Sequence, residues 1–450
     1  VRVGERYLAL TVNQLVKVWW VNVRLEPQWL TFYFAQSSGE LVAVADWTRA
    51  ACYDIFPWPL DNPNEGNRQL VCDPWLPATS PKGWQHHYKF ADYHTTEGNN
   101  VHVQIHDTSV NWTVSRRPVA SVNANQVQFA FPLDLSQPPV QYTDAALTNL
   151  FYHCNMMHDL LYVYGFTEVA GNFQDDNFGR GGREEDSLVA YGQGTSSINN
   201  AYFSTPPDGS HPYMYMFLWN MTGPNRDGCL DRSVVAHEYT HGLTARLTGG
   251  PINVYCLLFG EAAGLSEGWS DWVATVLQVR PYPSSSTAVF IPTHLDQVVV
   301  VGAYVTGKPT KGIRTHPYTT NMATNPTTYA WLNRANYKEI HSMGEVWTQM
   351  LYEVFWNFVG QHGFNTNWFS GDPSAGNTLA LQLVIDALKL QPCFPEFISA
   401  RDAILQAEKQ RTMGTNRCLI WKGFAKRGLG EGAKRENDTY IESFHLPQDC

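Results

Sequence analysis

The chain is poor in charged residues. Asp, Glu, Lys and Arg make up 16% of its 450 residues, against about 25% in an average globular domain. Disordered proteins combine high charge with few aromatic residues, whereas this sequence has 13% aromatic residues and 16 tryptophans. The composition therefore excludes a disordered chain and predicts a large folded core.

Basic clusters and long apolar runs are also missing. Lys and Arg number 31 against 41 Asp and Glu, giving a net charge of −10, and no stretch concentrates enough positive charge to follow a phosphate backbone. A membrane-spanning helix needs about 20 consecutive apolar residues, and runs such as the one beginning at Val298 are much shorter. We therefore expect neither nucleic acid nor a membrane as a partner.

The cysteines include no CxxC pair, and their number is even. They are Cys52, Cys72, Cys154, Cys229, Cys256, Cys393, Cys418 and Cys450. An even set is compatible with four disulfides, whose pairing the sequence does not determine, or with buried free thiols. Three glycosylation sequons, at Asn111, Asn220 and Asn437, favour an oxidising, extracellular location. Because Val1 to Leu10 lack a signal-peptide pattern, we expect a secreted chain that has already been processed.

Two hydrophobicity patterns divide the chain. Apolar and polar residues alternate in the first fifty positions, and short strand-like segments broken by prolines follow to about residue 135, which predicts a β-rich beginning. Helical spacing appears at 143–164 and recurs near 231–248, 262–280, 341–360, 376–390 and 395–410. A β-rich part before a helical part is typical of an α+β protein.

The segment HEYTHG (237–242) carries the most specific chemical signal. Residues four apart lie on the same face of a helix, so His237 and His241 point the same way and can bind one zinc ion. Glu238 lies beside them, where a carboxylate can act as general base on a water molecule. Two surface histidines flanking a solvated Glu remain the alternative interpretation of this motif.

A third metal ligand is expected from the following helix. The positions that would supply a third histidine in HExxHxxGxxH proteases hold Thr244 and Leu247, so that solution fails. The segment GLSEGWSD (264–271) offers Glu267 and Asp271, again four apart. Glu267 would be the third ligand, and Asp271 would accept the free ring N–H of a zinc-bound histidine.

These motifs, HEYTHG followed by GLSEGWSDW, closely resemble the fungalysin family of secreted fungal metalloendopeptidases, which are related in fold to thermolysin. The resemblance extends over nearly the whole chain. It includes NLFYHCNMMHDLLYVYGF (149–166), AGNFQDDNFGRGG (170–182), NNAYFSTPPDG (199–209), HSMGEVW (341–347) and WKGFAKRGLG (421–430). The resemblance implies one zinc ion bound by His237, His241 and Glu267, with Glu238 as the catalytic base.

Further roles follow from the resemblance alone. It implies that His341 donates a hydrogen bond to the transition-state oxyanion, with a locally satisfied helix-start histidine as the alternative. It also implies that Asn200 and Ala201 begin an edge strand that pairs with the substrate backbone, although an ordinary turn fits their sequence too. Tyr255 is near the position of an oxyanion-binding tyrosine, but the sequence does not place that residue. On the helix at 143–164, His153 and His158 are expected to be core histidines.

The resemblance also implies a domain organisation. We expect a two-lobed, thermolysin-like fold, with a β-rich lobe at 51–230, a helical lobe at 231–450 carrying the zinc site, and the cleft between them. Residues 1–50, especially SSGELVAVADW (37–47), resemble the end of the family's propeptide and would be released by a cut near 47–51. An N-terminal extension that belongs to the folded enzyme is the alternative.

The predicted activity is the zinc-dependent hydrolysis of internal peptide bonds in extracellular proteins, by a monomer whose other partner is its own propeptide. A zinc aminopeptidase is a rival hypothesis, but its GxMEN-like segment is absent. A non-catalytic secreted binding protein, or a latent zymogen on the same fold, is the other. The acidic clusters Asp175-Asp176 and Glu184-Glu185-Asp186 are candidate calcium ligands, although such clusters are more often solvated loops.

Overall fold

The computed structural model describes residues 1–11, 14–25, 28–46, 50–87, 93–106, 113, 115–123, 126–280 and 297–450. The chain begins with an antiparallel sheet in which each strand pairs with the next: β1 (Arg2–Thr11), β2 (Gln14–Leu25), β3 (Gln28–Ala35) and β4 (Leu41–Asp46). Val18, Tyr33 and Ala35 are buried on one face of this sheet. On the same face the Arg6 guanidinium lies 4.8 Å from the ring centre of Trp20.

A second four-stranded sheet follows. Its strands are β5 (Ala50–Ile55), β6 (Gln69–Cys72), β8 (Ser121–Asn123) and β9 (Gln126–Phe129), in the order β6-β5-β9-β8. The intervening strand β7 (Val101–Ile105) belongs to the next sheet. Strand β5 is parallel to β9 and antiparallel to β6. Its alternate residues Ala51, Tyr53 and Ile55 point into the main hydrophobic core.

The third sheet borders the cleft described below. It contains β7, β10 (Leu188–Gly194), β11 (Ala201–Ser204) and β12 (Tyr213–Trp219), in the order β11-β12-β10-β7, with the short β13 (Arg226–Asp227) against β12. Strands β7, β10 and β12 are parallel, and β11 is antiparallel to β12 at the edge. Helix α1 (Thr143–Val163) packs against β5, β7 and β10, so it joins the second and third sheets.

The rest of the chain is mainly helical. Its helices are α2 (Arg232–Leu247), α3 (Gly260–Val276), the single turn α4 (Ala303–Thr306), α5 (Ile340–His362), α6 (Gly376–Leu390), α7 (Phe397–Thr412) and α8 (Arg417–Lys426), followed by the hairpin β14 (Lys434–Glu436) and β15 (Thr439–Ile441). Helix α3 packs against α2 and α5, and α5 also contacts α6 and α8. This order of sheets and helices confirms the α+β prediction.

One continuous hydrophobic core extends from Ala51 to Tyr440. Of the described side chains of β1–β4, none belongs to this core. The described residues therefore form two separately packed parts, the first sheet and the residues from β5 onward. Among the described helices, none combines the length and apolarity that crossing a bilayer requires.

The disulfides differ from the full set of four that the cysteine count allows. Three form, joining Cys52 to Cys72, Cys256 to Cys393 and Cys418 to Cys450. Cys154 and Cys229 are free thiols, and both are buried. Burial raises the pKa of each thiol because it disfavours the thiolate. The number of cysteines therefore sets the maximum number of disulfides but does not say how many form.

Candidate metal centre and cleft

Helix α2 places the HEYTHG motif at the base of a cleft. Its apolar residues, among them Val235 and Leu243, are fully buried in the core, and the helix is followed by Gly249 and Gly250, whose φ angles of 84° and 86° favour glycine. The helix is covered on nearly all sides, which leaves His237 only 6% exposed. The motif is thus held rigidly by packing rather than displayed on a mobile surface.

The two histidines face each other as their spacing predicts. The Nε2 atoms of His237 and His241 are 3.1 Å apart. Glu267, on α3, approaches them from the neighbouring helix, with its Oε2 atom 3.3 Å from His237 Nε2 and its Oε1 atom 3.6 Å from His241 Nε2. Within the described residues this is the single group of three His, Cys, Asp or Glu side chains whose ligand atoms all lie within 4.8 Å of one another.

The donor set fits a tetrahedral zinc ion. Bonds of about 2.1 Å in tetrahedral geometry put the ligand atoms roughly 3.4 Å apart, close to the separations of 3.1, 3.3 and 3.6 Å. Two imidazoles and one carboxylate are also a ligand set that leaves a position for water. Within the described part of the chain, the buried Oε2 atom of Glu238 has no hydrogen-bond partner, as expected of a carboxylate that serves a reacting molecule.

Asp271 holds the first histidine in place. Its Oδ1 atom lies 2.7 Å from Nδ1 of His237, so the ring donates from Nδ1 and keeps Nε2 for a metal. Arg314 contacts both oxygens of the same carboxylate, with its Nε atom 2.7 Å from Oδ2 and its Nη2 atom 2.8 Å from Oδ1, and the hydroxyl of Tyr318 also donates to Oδ2. Burial alone would raise the pKa of Asp271, but Arg314 and His237 hold it well below its ordinary value.

The second histidine has a neutral partner. The Nδ1 atom of His241 lies 3.1 Å from the hydroxyl oxygen of Ser266, the residue before Glu267. Helix α3 therefore supplies one metal ligand and positions both histidines, through Ser266 and Asp271.

His341 stands at the beginning of α5 and faces the same centre. Its Nε2 atom is 3.5 Å from Oε2 of Glu267, and its side chain is 46% exposed. Its Nδ1 atom lies 2.5 Å from Oε1 of Glu339. Glu339 also caps α5, accepting a hydrogen bond from the backbone N–H of Ser342 at 3.0 Å. One carboxylate thus fixes both the helix end and the imidazole.

The general-base candidate is almost completely enclosed. Glu238 is 5% exposed, and burial raises its pKa to about 7 because the charged carboxylate loses its hydration. A carboxylate of this pKa can accept a proton near neutral pH and return it. Since Glu238 directly follows His237, the same helical turn supplies the base and a metal ligand.

The centre opens into a cleft of about 580 Å³. Asn200 and Ala201, at the start of β11, line one wall together with Tyr202 and Phe203. Since β11 pairs with β12 on its other side, its edge toward the cleft is available for strand addition. Tyr255 also lines the cleft.

Sequence reasoning missed four residues of the site. They are Arg314, Tyr318, Ser266 and Glu339. Glu339 had a local signal, an acidic residue at the start of a predicted helix two positions before His341. Arg314 and Tyr318 had none, because they lie in an irregular segment without periodicity and meet Asp271 only through the fold.

The remaining candidate residues lie away from the centre. His153 and His158 are each 2% exposed within the core, as expected. Asn220 and Asn437 are exposed, whereas Asn111 lies outside the described residues.

The acidic clusters form protein contacts instead of a second group of metal ligands within the described ranges. Asp175 lies 2.9 Å from His102 Nε2, and Asp186 lies 3.0 Å from Arg246 Nη1. Asp176 is 3.2 Å from a second histidine nitrogen, that of His86. These partners supply positive or hydrogen-bonding groups where a calcium site needs only oxygen donors.

Comparison with known proteins finds one matching family and several similar relatives. Residues 52–433 match the family described as "Fungalysin metallopeptidase (M36)". The chain is 42% identical to "Extracellular metalloproteinase mep" of Aspergillus terreus, in an alignment that covers 98% of this chain and 68% of the relative. It is 40% identical to "Extracellular metalloproteinase 5" of Trichophyton rubrum (99% and 68% covered) and to "Extracellular metalloproteinase 10" of Coccidioides posadasii (99% and 69% covered). The chain belongs to the fungalysin family of metallopeptidases.

Proposed function

We propose that this metallopeptidase is a secreted zinc endopeptidase, with one zinc ion per chain, that cuts internal bonds of extended polypeptides. The observation that carries the proposal is the meeting of His237, His241 and Glu267 at the base of an open cleft, with the unpartnered Glu238 oxygen beside them. When bound, zinc supplies a Lewis acid that polarises the scissile carbonyl and makes water nucleophilic near neutral pH.

The protein's own residues move the protons. Glu238 takes a proton from the attacking water and delivers it to the leaving amine. His341 donates from Nε2 to the negative charge that develops on the carbonyl oxygen, an interaction commonly worth about 2.7–4 kcal/mol per donor. Glu339 keeps the His341 ring in the required orientation through Nδ1.

The substrate binds as an additional strand. Its backbone pairs with the free edge of β11, beginning at Asn200 and Ala201, and its scissile bond lies over α2. This arrangement accepts a chain that continues beyond both ends of the cleft, which is what an endopeptidase requires. The carboxylates among the described cleft residues, Glu238 and Glu267, already serve as base and metal ligand, so an aminopeptidase is less well supported.

We further propose the thermolysin-like, two-lobed organisation, with a β-rich lobe at 51–230, a helical lobe at 231–450 and the cleft at their boundary. Residues 1–50 would be a propeptide remnant. Two observations support this boundary. The described β1–β4 side chains stay out of the main core, and the family match begins at residue 52.

Secretion is supported by the names of the relatives and by the three disulfides. Asn220 and Asn437 are the proposed glycan acceptors among the described residues. We propose a monomer whose partners are extracellular proteins and its own propeptide. Calcium has no supporting observation beyond the acidic composition of residues 175–186.

The test is metal analysis combined with cleavage mapping. Freshly purified, undialysed protein should contain one zinc per chain, cut casein at internal bonds, lose activity with a chelator and regain it when zinc is restored. Removal of single amino-terminal residues alone would replace the proposal with an aminopeptidase. A protein that carries zinc but cuts nothing would favour the non-catalytic or latent alternative.

A further inference from the structure

Two exposed apolar side chains line the cleft, and two more are exposed on backbone adjoining theirs. Tyr255, Leu258, Phe259 and Phe394 are 59%, 52%, 70% and 55% exposed, respectively. We call these four residues the apolar rim. Clustered exposed apolar side chains on a folded protein commonly mark a surface that binds something.

The apolar rim stands on a fixed base. The disulfide between Cys256 and Cys393 joins the segment after α2 to the segment between α6 and α7. The backbone N–H of Phe394 donates to the carbonyl of Cys256 at 3.0 Å. Val254, Cys256 and Leu257 are buried beneath the exposed residues. The exposed side chains are therefore presented by an ordered backbone rather than by a loose loop.

Phe394 occupies a costly conformation. Its φ angle is 56°, in the left-handed region that residues other than Gly, Asn and Asp avoid at a cost of about 1–2 kcal/mol. With more than half of its surface exposed, the side chain recovers little of this cost through packing. A large aromatic residue at such a position therefore adds little to folding stability.

The apolar rim is continuous with the cleft. Tyr255 and Leu258 line the cleft together with Ala245, near the C-terminal end of α2. Phe259 follows Leu258 directly, and the backbone of Phe394 is hydrogen-bonded to that of Cys256, the residue after Tyr255. A polypeptide that leaves the cleft at this end passes over the rim.

The fold also determines which end of the substrate reaches the rim. Strand β11 runs in the same direction as α2. The segment after β11 lies at the end of α2, because Arg246 Nε donates a hydrogen bond to the carbonyl oxygen of Pro206. The start of β11 lies near Trp219 and the segment that leads into α2. Antiparallel pairing is the geometry that β11 already uses with β12. A substrate added antiparallel to β11 therefore runs from the rim toward Val234 and Arg314.

We propose that the apolar rim binds apolar or aromatic side chains of the substrate on the N-terminal side of the scissile bond. The inference rests on the proposed endopeptidase function and adds a selectivity to it. Burial of such side chains against Phe259 and Phe394 removes apolar surface of both partners from water. Substrates with polar residues there leave the rim in contact with water and lose this binding energy.

The experiment uses two quenched-fluorescence peptides that are identical from the scissile bond onward. One carries Leu and Phe at the second to fourth positions before the bond, and the other carries Ser and Gly. We expect the zinc-loaded enzyme to cleave the apolar peptide with kcat/KM higher by about tenfold or more. In the double variant Phe259→Ser/Phe394→Ser we expect this ratio to fall to about twofold.

The matched control is Phe444→Ser, which removes an equally exposed phenylalanine that does not line the cleft and should keep the wild-type ratio. The variant Phe259→Leu/Phe394→Leu keeps apolar side chains at both positions and should therefore keep most of the wild-type ratio. An unchanged ratio in the serine variant, or an apolar preference confined to positions after the scissile bond, overturns the inference. A zinc-loaded enzyme that cuts both peptides equally refutes only the rim, whereas one that cuts neither peptide nor casein refutes the proposed function.

Discussion

At the scale of single residues, the most densely connected group of the site is a carboxylate that touches no substrate. Asp271 receives hydrogen bonds from His237, Arg314 and Tyr318, and it is 1% exposed. Such a buried anion is tolerated because the Arg314 guanidinium neutralises it and the imidazole and tyrosine hydroxyl donate hydrogen bonds to it. It couples the orientation of a metal ligand to an irregular segment 43 residues further along the chain.

The first prediction separates metal binding from proton transfer. Glu238→Gln keeps the size of the side chain but removes its basicity, so we expect zinc content near one per chain and a loss of turnover of about 10²- to 10⁴-fold. His237→Ala should instead lose both zinc and activity. Elemental analysis and casein cleavage, measured on the same preparations, distinguish the two variants. A Glu238→Gln enzyme with ordinary turnover would contradict the assigned base.

A second prediction concerns acid stability. Burial lowers the pKa of His153 to about 3, against about 6.5 in an unfolded chain. Below pH 6.5 the unfolded chain therefore binds a proton that the folded chain does not, and the free energy of unfolding falls by up to about 1.4 kcal/mol per pH unit. The variant His153→Gln should show a shallower fall between pH 6 and 4 in urea denaturation, with its value at pH 8 as the baseline. Equal slopes in both proteins would mean that His153 is protonated in the fold.

The site could be predicted from the sequence only where it is local. His237, Glu238 and His241 occupy one helix, so periodicity alone aligns them. Glu267 lies on a different helix, and it could be predicted only because the motif GLSEGWSD surrounds it. Arg314 meets Asp271 by tertiary folding, for which a single sequence contains no spacing rule.

At the scale of elements, the centre depends on how closely α3 and α5 approach. A Cβ atom added to Gly344 would lie 2.6 Å from the Cβ atom of Glu267 and 2.8 Å from the backbone nitrogen of Gly268. One added to Gly268 would meet Trp347 at 2.7 Å. Small residues on both helices thus bring Glu267 and His341 to the same point.

The third prediction tests this approach. Gly344→Ala should push α5 away from α3, lower the stability by about 1–3 kcal/mol, and weaken zinc binding because Glu267 lies at the contact. Competition with a chromogenic chelator measures the zinc affinity. Gly360→Ala, the same change at an exposed position of α5, should leave the affinity unchanged and stabilise the helix by up to about 1 kcal/mol. Equal zinc affinities in the two variants would show that the contact does not position Glu267.

Helices were easier to predict than strands. The helical segments were recognisable from periodicity within a few residues of their observed bounds, as at α1, α6 and α7. Strand pairing is a long-range property, and neither the parallel pairing of β5 with β9 nor the order β11-β12-β10-β7 has a signal within any one strand. The free edge of β11 was inferred only through the family resemblance.

At the scale of the whole molecule, the described residues form two packed parts. Strand β5 begins at Ala50 and pairs with β9 from its first residue, so a cut before it leaves the second sheet intact. The fourth prediction is that mass spectrometry of secreted material finds a new amino terminus between residues 47 and 51. Active enzyme that retains Val1 would contradict this, and the first sheet would then belong to the working protein.

The shared role of Glu339 has a thermal consequence. The carboxylate that caps the first turn of α5 also holds the imidazole facing the metal centre, and helix termini open before the body of a protein unfolds. Fraying of that first turn would release His341 while the remaining tertiary structure stays intact. Heating should therefore abolish the activity reversibly, several degrees below the temperature at which the circular dichroism signal is lost.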